Sequence, residues 1–193
     1  MLTINVTLEG TAPIAFSAPI TTKKNTGENH DAFEERTWRE RMHQDADGLV
    51  FITPMALKNC LSKVAQFLGE TVPGKGKATY TRHFVTGVMV AEPMPLMNGG
   101  GKRVKAADVK PNRLFVPSDG KRGGGTRVWK NFPVIPQWST TATIYVRDPL
   151  LVDKPEKVQE YLEHAGKFIG LGSLRMENNG YFGGFKVTSF EVA

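Results

Sequence analysis

Ser139-Thr-Thr-Ala-Thr-Ile-Tyr-Val-Arg147 alternates, with Thr140, Ala142, Ile144 and Val146 facing one way, which is the period of a half-buried strand. A short polar link follows. Asp153 and, three residues later, Glu156, with Pro155 between them, then form a capping-box-like helix start, and Val158, Tyr161, Leu162, Ala165, Phe168 and Ile169 follow at helical spacing until Gly170. The same succession stands at the other end of the chain. Leu2-Thr-Ile-Asn-Val-Thr-Leu-Glu9 alternates strictly, and Thr53 as N-cap with Pro54 at the first helical position opens a run of Leu57, Leu61, Val64 and Leu68 that Gly69 ends. Tyr80 to Ala91 reads as a further strand. Phe185 to Val192 reads as the last one, with a slip of apolar phase between Val187 and Phe190 that predicts a bulge. The order strand, helix, strand, insertion, strand, helix, strand predicts an α+β chain with a ferredoxin-like, RRM-like βαββαβ core: an antiparallel four-stranded sheet under two helices.

Everything else hangs from that core as one domain, residues 1–193, with two long insertions. Residues 20–52 are polar, with a helical patch around Phe33 to His43 in which Phe33 and Trp38 are too few to anchor a core helix. Residues 92–138 are basic and rich in glycine and proline, and Glu92 to Pro136 reads as some 45 residues of loop. Structureless connections of that length are uncommon unless they serve a function. Between the first strand and residue 20, Gly10 to Pro19 reads as a turn and a short extended piece.

A chain of 193 residues with 40% apolar composition, Phe 11 and Trp 3 builds a core and is not disordered. One cysteine, Cys60, excludes an internal disulfide and a structural thiolate–zinc cluster; lying beside the first helix's apolar stripe, it reads as a small core residue. The longest apolar runs, 49–52 and 84–91, fall far short of the roughly 18 residues of a membrane span, and Met1 to Leu8 alternates instead of forming a signal block. The expectation is a soluble, cytoplasmic protein with no membrane partner and no cofactor.

The net charge of +6 is unevenly placed. Residues 74–130 hold twelve basic and three acidic residues, a balance of +9, and the rest of the chain holds thirteen basic and sixteen acidic, a balance of −3. The basic stretch carries Gly74, Gly76, Gly99 to Gly101, Gly120 and Gly123 to Gly125, and it interleaves Tyr80, Phe84, Phe115, Trp129 and Phe132. Glycine admits backbone N–H groups to an anion, arginine offers a fork that fits phosphate, and exposed aromatic rings stack bases. The stretch therefore predicts a polyanion-binding surface.

Gly170-Leu-Gly-Ser-Leu-Arg-Met-Glu-Asn-Asn-Gly-Tyr-Phe-Gly-Gly-Phe185 exposes backbone and sets one guanidinium, Arg175, where a phosphate can meet it; the same glycines also suit a tight connection. This G-x-G-x-x-R followed by G-x-x-G-G-F resembles the glycine-rich loop of RAMP proteins, the RRM-like superfamily of CRISPR-associated RNA-binding subunits. Phe51-Ile-Thr-Pro-Met-Ala-Leu-Lys-Asn-Cys-Leu61 is similar to the segment where such proteins enter their first helix, and Thr11-Ala-Pro-Ile14 to the point where they leave their first strand. Together these cover some 40 of the 193 residues. The resemblance implies a subunit that polymerises along a guide RNA, with phosphates on a basic palm and a hairpin thumb wedged between bases. It assigns Lys58 and Arg175 to the palm and residues 92–138 to the thumb. The chain departs from that pattern in being short and in carrying Glu177 in the loop. Similar chains are also conceivable in phage replication or recombination, coating single-stranded DNA.

The primary expectation is a non-enzymatic single-stranded nucleic-acid-binding protein, on RNA or DNA, that assembles head to tail along the strand and joins other effector-complex subunits. Its contacts would be Lys58, Lys75, Lys77, Arg82, His83, Lys102, Arg103, Lys105, Arg113, Lys121, Arg122, Arg127 and Arg175, with Trp129, Phe115 and Tyr80 stacking. Two other readings stay open: a metal-independent endoribonuclease using His83, and a protein interaction module antagonising a nucleic-acid complex. His30, His43, His83 and His164 show no metal-ligand spacing, and no phosphate loop of P-loop type is present. Asp31, Glu34, Glu35 and Glu40 read as a salt-bridged face with Arg36, Arg39 and Arg41.

Overall fold

Leu2–Gly10 is strand β1, its Ile4, Val6 and Leu8 fully or almost fully buried as the alternation requires. The structure, a computed structural model, describes residues 1–118 and 125–193. After β1 come β2 (Ile14–Ala15), α1 (His30–Thr37) running into a 3-10 turn at Trp38–Arg41, β3 (Phe51–Ile52) and α2 (Pro54–Leu68). Next are α3 (Thr81–Gly87), β4 (Val88–Val90), β5 (Met94–Asn98), β6 (Lys110–Pro117) and β7 (Arg127–Ile135). The chain closes with β8 (Trp138–Val146), α4 (Pro149–Val152), α5 (Pro155–Phe168) and β9 (Phe185–Val192).

The main sheet runs β3-β5-β8-β1-β9, with β4 also on β8, and its pairings are antiparallel. Taking β4 and β5 as one interrupted strand, this is the ferredoxin-like order 4-1-3-2 with α2 and α5 as its crossover helices, so the expected α+β core is present. Between Val90 opposite Ile144 and Leu96 opposite Thr140, five residues on one strand face three on the other, which breaks that strand at Ala91–Pro93. The expected bulge in the last strand lies at Thr188: Thr7 pairs with Ser189 and Leu8 with Val187.

Leu57, Leu61 and Val64 of α2 and Val158, Tyr161, Leu162 and Ala165 of α5 cover one face of the sheet, all buried. Cys60 lies within this layer, its thiol 3.4 Å from the Gly170 carbonyl, and burial pushes it up to about 12. At Gly166 a Cβ would stand 2.0 Å from the Phe185 carbonyl oxygen, so glycine lets α5 lie directly on β9. The opposite face of the sheet is uncharged along its centre, with Asn5, Thr7, Thr141 and Thr143, and acidic at its rim, with Glu92 and Glu191.

Four sequence expectations need correction. Tyr80 to Ala91 is a helix followed by a short strand: Tyr80, Phe84 and Gly87 are buried at helical spacing, and only Val88 and Val90 at its end alternate. Trp38 is buried, so the helical patch is docked into the body of the protein. Among the described residues of 92–136 more than half are strand, with β5 belonging to the main sheet and β6 and β7 forming a hairpin. Asp153 does not cap α5, whose N-cap is Lys154 with no side-chain bond; Asp148, which accepts from the Leu150 and Leu151 amides, caps α4 instead.

Candidate nucleic-acid interface

The β6–β7 hairpin pairs Lys110 with Val134 through to Pro117 with Arg127. At its root β7 pairs with β2, Ile14 opposite Ile135, so the root belongs to the core while the outer part extends from it. Directly opposed residues share a face of a two-stranded ribbon, so Arg113, Phe115, Trp129, Arg127 and Asn131 line one side. Phe115 and Trp129 are partners in register, their ring centroids 5.1 Å apart at 43°, and they remain 48% and 46% exposed. Large aromatics left in water are unusual in a strand pair unless something covers them. Guanidinium groups frame the pair: Arg113 lies 5.2 Å from the Trp129 ring centre and Arg127 lies 5.7 Å from that of Phe115. Arg127 also donates to the Phe115 carbonyl at 3.2 Å, and Lys130 donates to that of Ser118 at 3.0 Å.

A buried ion pair fixes the root of this hairpin. Arg41 Nη2 donates to Glu34 Oε1 at 2.7 Å and to Oε2 at 3.0 Å, while Arg41 Nε donates to the Asn131 carbonyl at 3.2 Å. The Asn131 amide donates to Glu34 Oε2 at 3.1 Å. Both side chains are nearly sealed from solvent, so the pair ties the α1 segment to β7. More α1 contacts follow: His30 Nε2 lies 3.0 Å from the Trp129 carbonyl, Asp31 pairs with Arg113 at 3.2 Å, and Asn131 Nδ2 donates to Glu35 Oε2 at 3.3 Å. The acidic cluster of α1 is thus shared between the hairpin and the helix. Of the expected pairings with Arg36, Arg39 and Arg41, that of Glu34 with Arg41 is present; Arg36 instead holds Glu28, whose carboxyl is lowered to about 2 by that hydrogen bond.

The remaining expected site residues lie on other elements. Lys58 Nζ donates to Ser62 Oγ and to the carbonyls of Phe84 and Val85 at 2.8 to 3.0 Å, capping the end of α3, and burial pushes the ammonium below its usual range. Arg175 pairs with Glu177 at 2.9 Å, and Glu177 also holds Lys63. The glycine loop around it is packed backbone against backbone: the Leu171 amide donates to Gly183, that of Gly183 to Pro13 and that of Ser173 to Ala15, each at 2.8 Å. Lys75 and Lys77 are exposed in the α2–α3 loop, Arg82 is exposed on α3, and Lys102, Arg103 and Lys105 follow the turn after β5. There Asn98 Oδ1 accepts from the Gly100 and Lys102 amides, and Arg103 lies 3.6 Å from Asp45. His83 Nδ1 lies 2.8 Å from Asp148 Oδ2. Tyr80 is buried and stacks within the core, edge-on to Tyr161. Lys121 and Arg122 lie outside the described residues. No group of three or more His, Cys, Asp or Glu side chains among the described residues is placed to share a metal ion, and none of the described helices is long and apolar enough to cross a membrane.

The fold therefore brings Arg113, Arg127, Trp129 and Phe115 onto one exposed surface, with Asp31, Glu35 and Asn131 along its edge. Asp31 and Glu35 were not legible as neighbours of the hairpin, since a contact such as that of Glu35 with Asn131 spans 96 residues of chain. Chemically, the surface offers π-stacking area with cationic donors on either side, the combination that holds unpaired bases and their phosphates.

No protein-family model and no curated protein sequence matches the chain. Solved structures do match. A chain from the cryo-EM structure of the Type III-B Cmr-beta bound to cognate target RNA is similar with a TM-score of 0.56 and 12% identity, over 99% of this chain and 60% of that one. The chain thus spans about 60% of the length of that neighbour. The crystal structure of Cmr6 from Pyrococcus furiosus is similar with a TM-score of 0.50 and 11% identity, over 97% of this chain and 98% of that one. At such identities the likeness is one of fold, and the α+β fold expected from the sequence is the fold found.

Proposed function

We propose that the chain binds single-stranded RNA through the outer part of the β6–β7 hairpin, as a RAMP-type subunit of a ribonucleoprotein complex. One observation carries the reading: an exposed, register-paired Phe115 and Trp129 framed by Arg113 and Arg127. Bases stack on the ring pair, and the guanidiniums on the same face meet the phosphates. The neighbour bound to cognate target RNA supports RNA over DNA as the strand. Successive protomers follow the strand head to tail, beside other subunits.

Tryptophan fluorescence tests the contact directly. Trp38 and Trp138 are each 2% exposed, so added RNA quenches Trp129 selectively. Titration with a single-stranded oligoribonucleotide is expected to quench the wild type, and Trp129→Leu to weaken binding about five- to a hundredfold, as loss of one stacked base implies. Binding by fluorescence anisotropy with no quenching sinks the hairpin contact, and the absence of binding to any strand sinks the reading as a whole. RNA of stepped lengths co-purifying with the protein would establish assembly along the strand.

A second reading, metal-independent cleavage, is favoured by the His83–Asp148 contact, because a carboxylate on Nδ1 fixes the ring and its tautomer. Labelled RNA incubated with the protein in EDTA decides it: protection without cleavage eliminates the nuclease.

A further inference from the structure

Asp31, Glu34 and Glu35 of α1 face Arg113, Trp129 and Asn131 of the hairpin across a cleft of about 290 Å³. That volume is at the small end of ligand cavities, room for one planar ring system but not for a run of nucleotides. Its two walls differ in character. The hairpin wall presents an indole and a guanidinium, both flat and both able to stack on a base. The helix wall presents carboxylates, which repel phosphate and accept hydrogen bonds.

The three carboxylates have different partners. Glu34 is consumed by Arg41 and the Asn131 amide and is buried. Asp31 pairs with Arg113 and so steadies the guanidinium against the indole. Glu35 is exposed, and Asn131 holds it by Oε2 beside the hairpin wall. A ligand suited to both walls is neutral, planar and rich in donors along one edge.

We propose that this cleft reads a nucleobase of the bound strand, with Glu35 accepting from the base edge and the Trp129–Arg113 wall stacking its plane, and that it prefers guanine. The inference rests on the RNA-binding reading above and names what the same surface selects. Guanine presents N1–H and N2–H side by side, a pair of donors that matches the two oxygens of a carboxylate. Adenine and cytosine set a ring acceptor beside their amino group, and uracil flanks its one N–H with two carbonyls, so each brings an acceptor against the carboxylate. The phosphates of the same nucleotide stay outside, on Arg127.

Anisotropy titrations with short labelled oligoribonucleotides test this on the unaltered protein. The strands are all-uridine, or uridine with one central guanosine, inosine or adenosine. Guanosine is expected to tighten binding about fivefold or more over all-uridine, and inosine, which lacks the 2-amino donor, to lose much of that gain. In Glu35→Gln the guanosine-to-inosine ratio is expected to fall to near one. Equal affinity for the guanosine and all-uridine strands overturns the pocket while leaving RNA binding in place, and a preference that survives Glu35→Gln overturns the assignment to Glu35. Failure of every strand to bind overturns the parent reading instead.

Discussion

Arg41 shows how one residue's meaning depends on where its neighbours come from. In the sequence it is one of three arginines among carboxylates, the pattern of a solvated helix face. In the fold it is buried against Glu34 and donates to the Asn131 carbonyl, so it joins α1 to the hairpin. Removing one partner of a buried pair leaves an uncompensated charge, so Arg41→Met is expected to cost about 3 to 5 kcal/mol in urea unfolding followed by Trp38 fluorescence. Glu34→Gln added to it should recover part of the loss, since the amide still accepts from the Asn131 N–H. Glu70 predicts a pH effect. Burial opposes its ionisation, but hydrogen bonds from Lys157 and Tyr161 outweigh that and hold its carboxyl below the ordinary 4.5. A carboxyl lowered in the folded state adds stability that is fully present above its unfolded pKa and is lost as pH falls through its folded one. Because Glu70 is partly exposed, Glu70→Gln should cost only about 1 kcal/mol at pH 7. The difference from wild type should shrink below about pH 4.5 in thermal melts across that range.

At the scale of elements, periodicity located β1, α2, β8 and α5, because each buries a full face or stripe that its own spacing records, and it located β9 although only Phe185 of that strand is buried while Val187 and Phe190 are half-buried. It misread α3, joining it to β4 as one strand from Tyr80 to Ala91, while burial follows Tyr80, Phe84 and Gly87 at helical spacing. That choice is made outside the segment: Tyr80 and Phe84 stack on Tyr161, and Lys58 collects the carbonyls at the helix end. The glycine loop was legible as special, and its geometry explains the glycines by packing. Gly183 has φ +80°, and a Cβ there would stand 1.8 Å from the Leu171 carbonyl oxygen. Gly183→Ala therefore combines left-handed strain with a backbone clash and is expected to cost more than about 2 kcal/mol, or to prevent folding, by the same urea assay. A variant as stable as wild type would show that the loop yields and is not held by this contact.

Over the whole molecule the basic stretch of the sequence divides among the hairpin, the α2–α3 loop, α3 and the turn after β5, and Lys58 and Arg175 are occupied within the fold. If about five phosphates are neutralised per protomer, binding to a single strand should fall about a hundredfold between 50 and 200 mM salt, measured by anisotropy at a series of ionic strengths. A flat dependence would remove phosphate contact as the source of affinity. The sequence by itself determined the α+β order, the core faces, the position of the bulge and the stretch that carries the charge, since these depend on local spacing and composition. Only the tertiary structure decided which cations remain available, that Phe115 faces Trp129 across a ribbon, and that α1's carboxylates stand beside them. The physical reason is that a side chain's charge and ring are written locally, whereas its partners are set by pairings such as Glu34 with Asn131, which only the closed fold brings within hydrogen-bond reach.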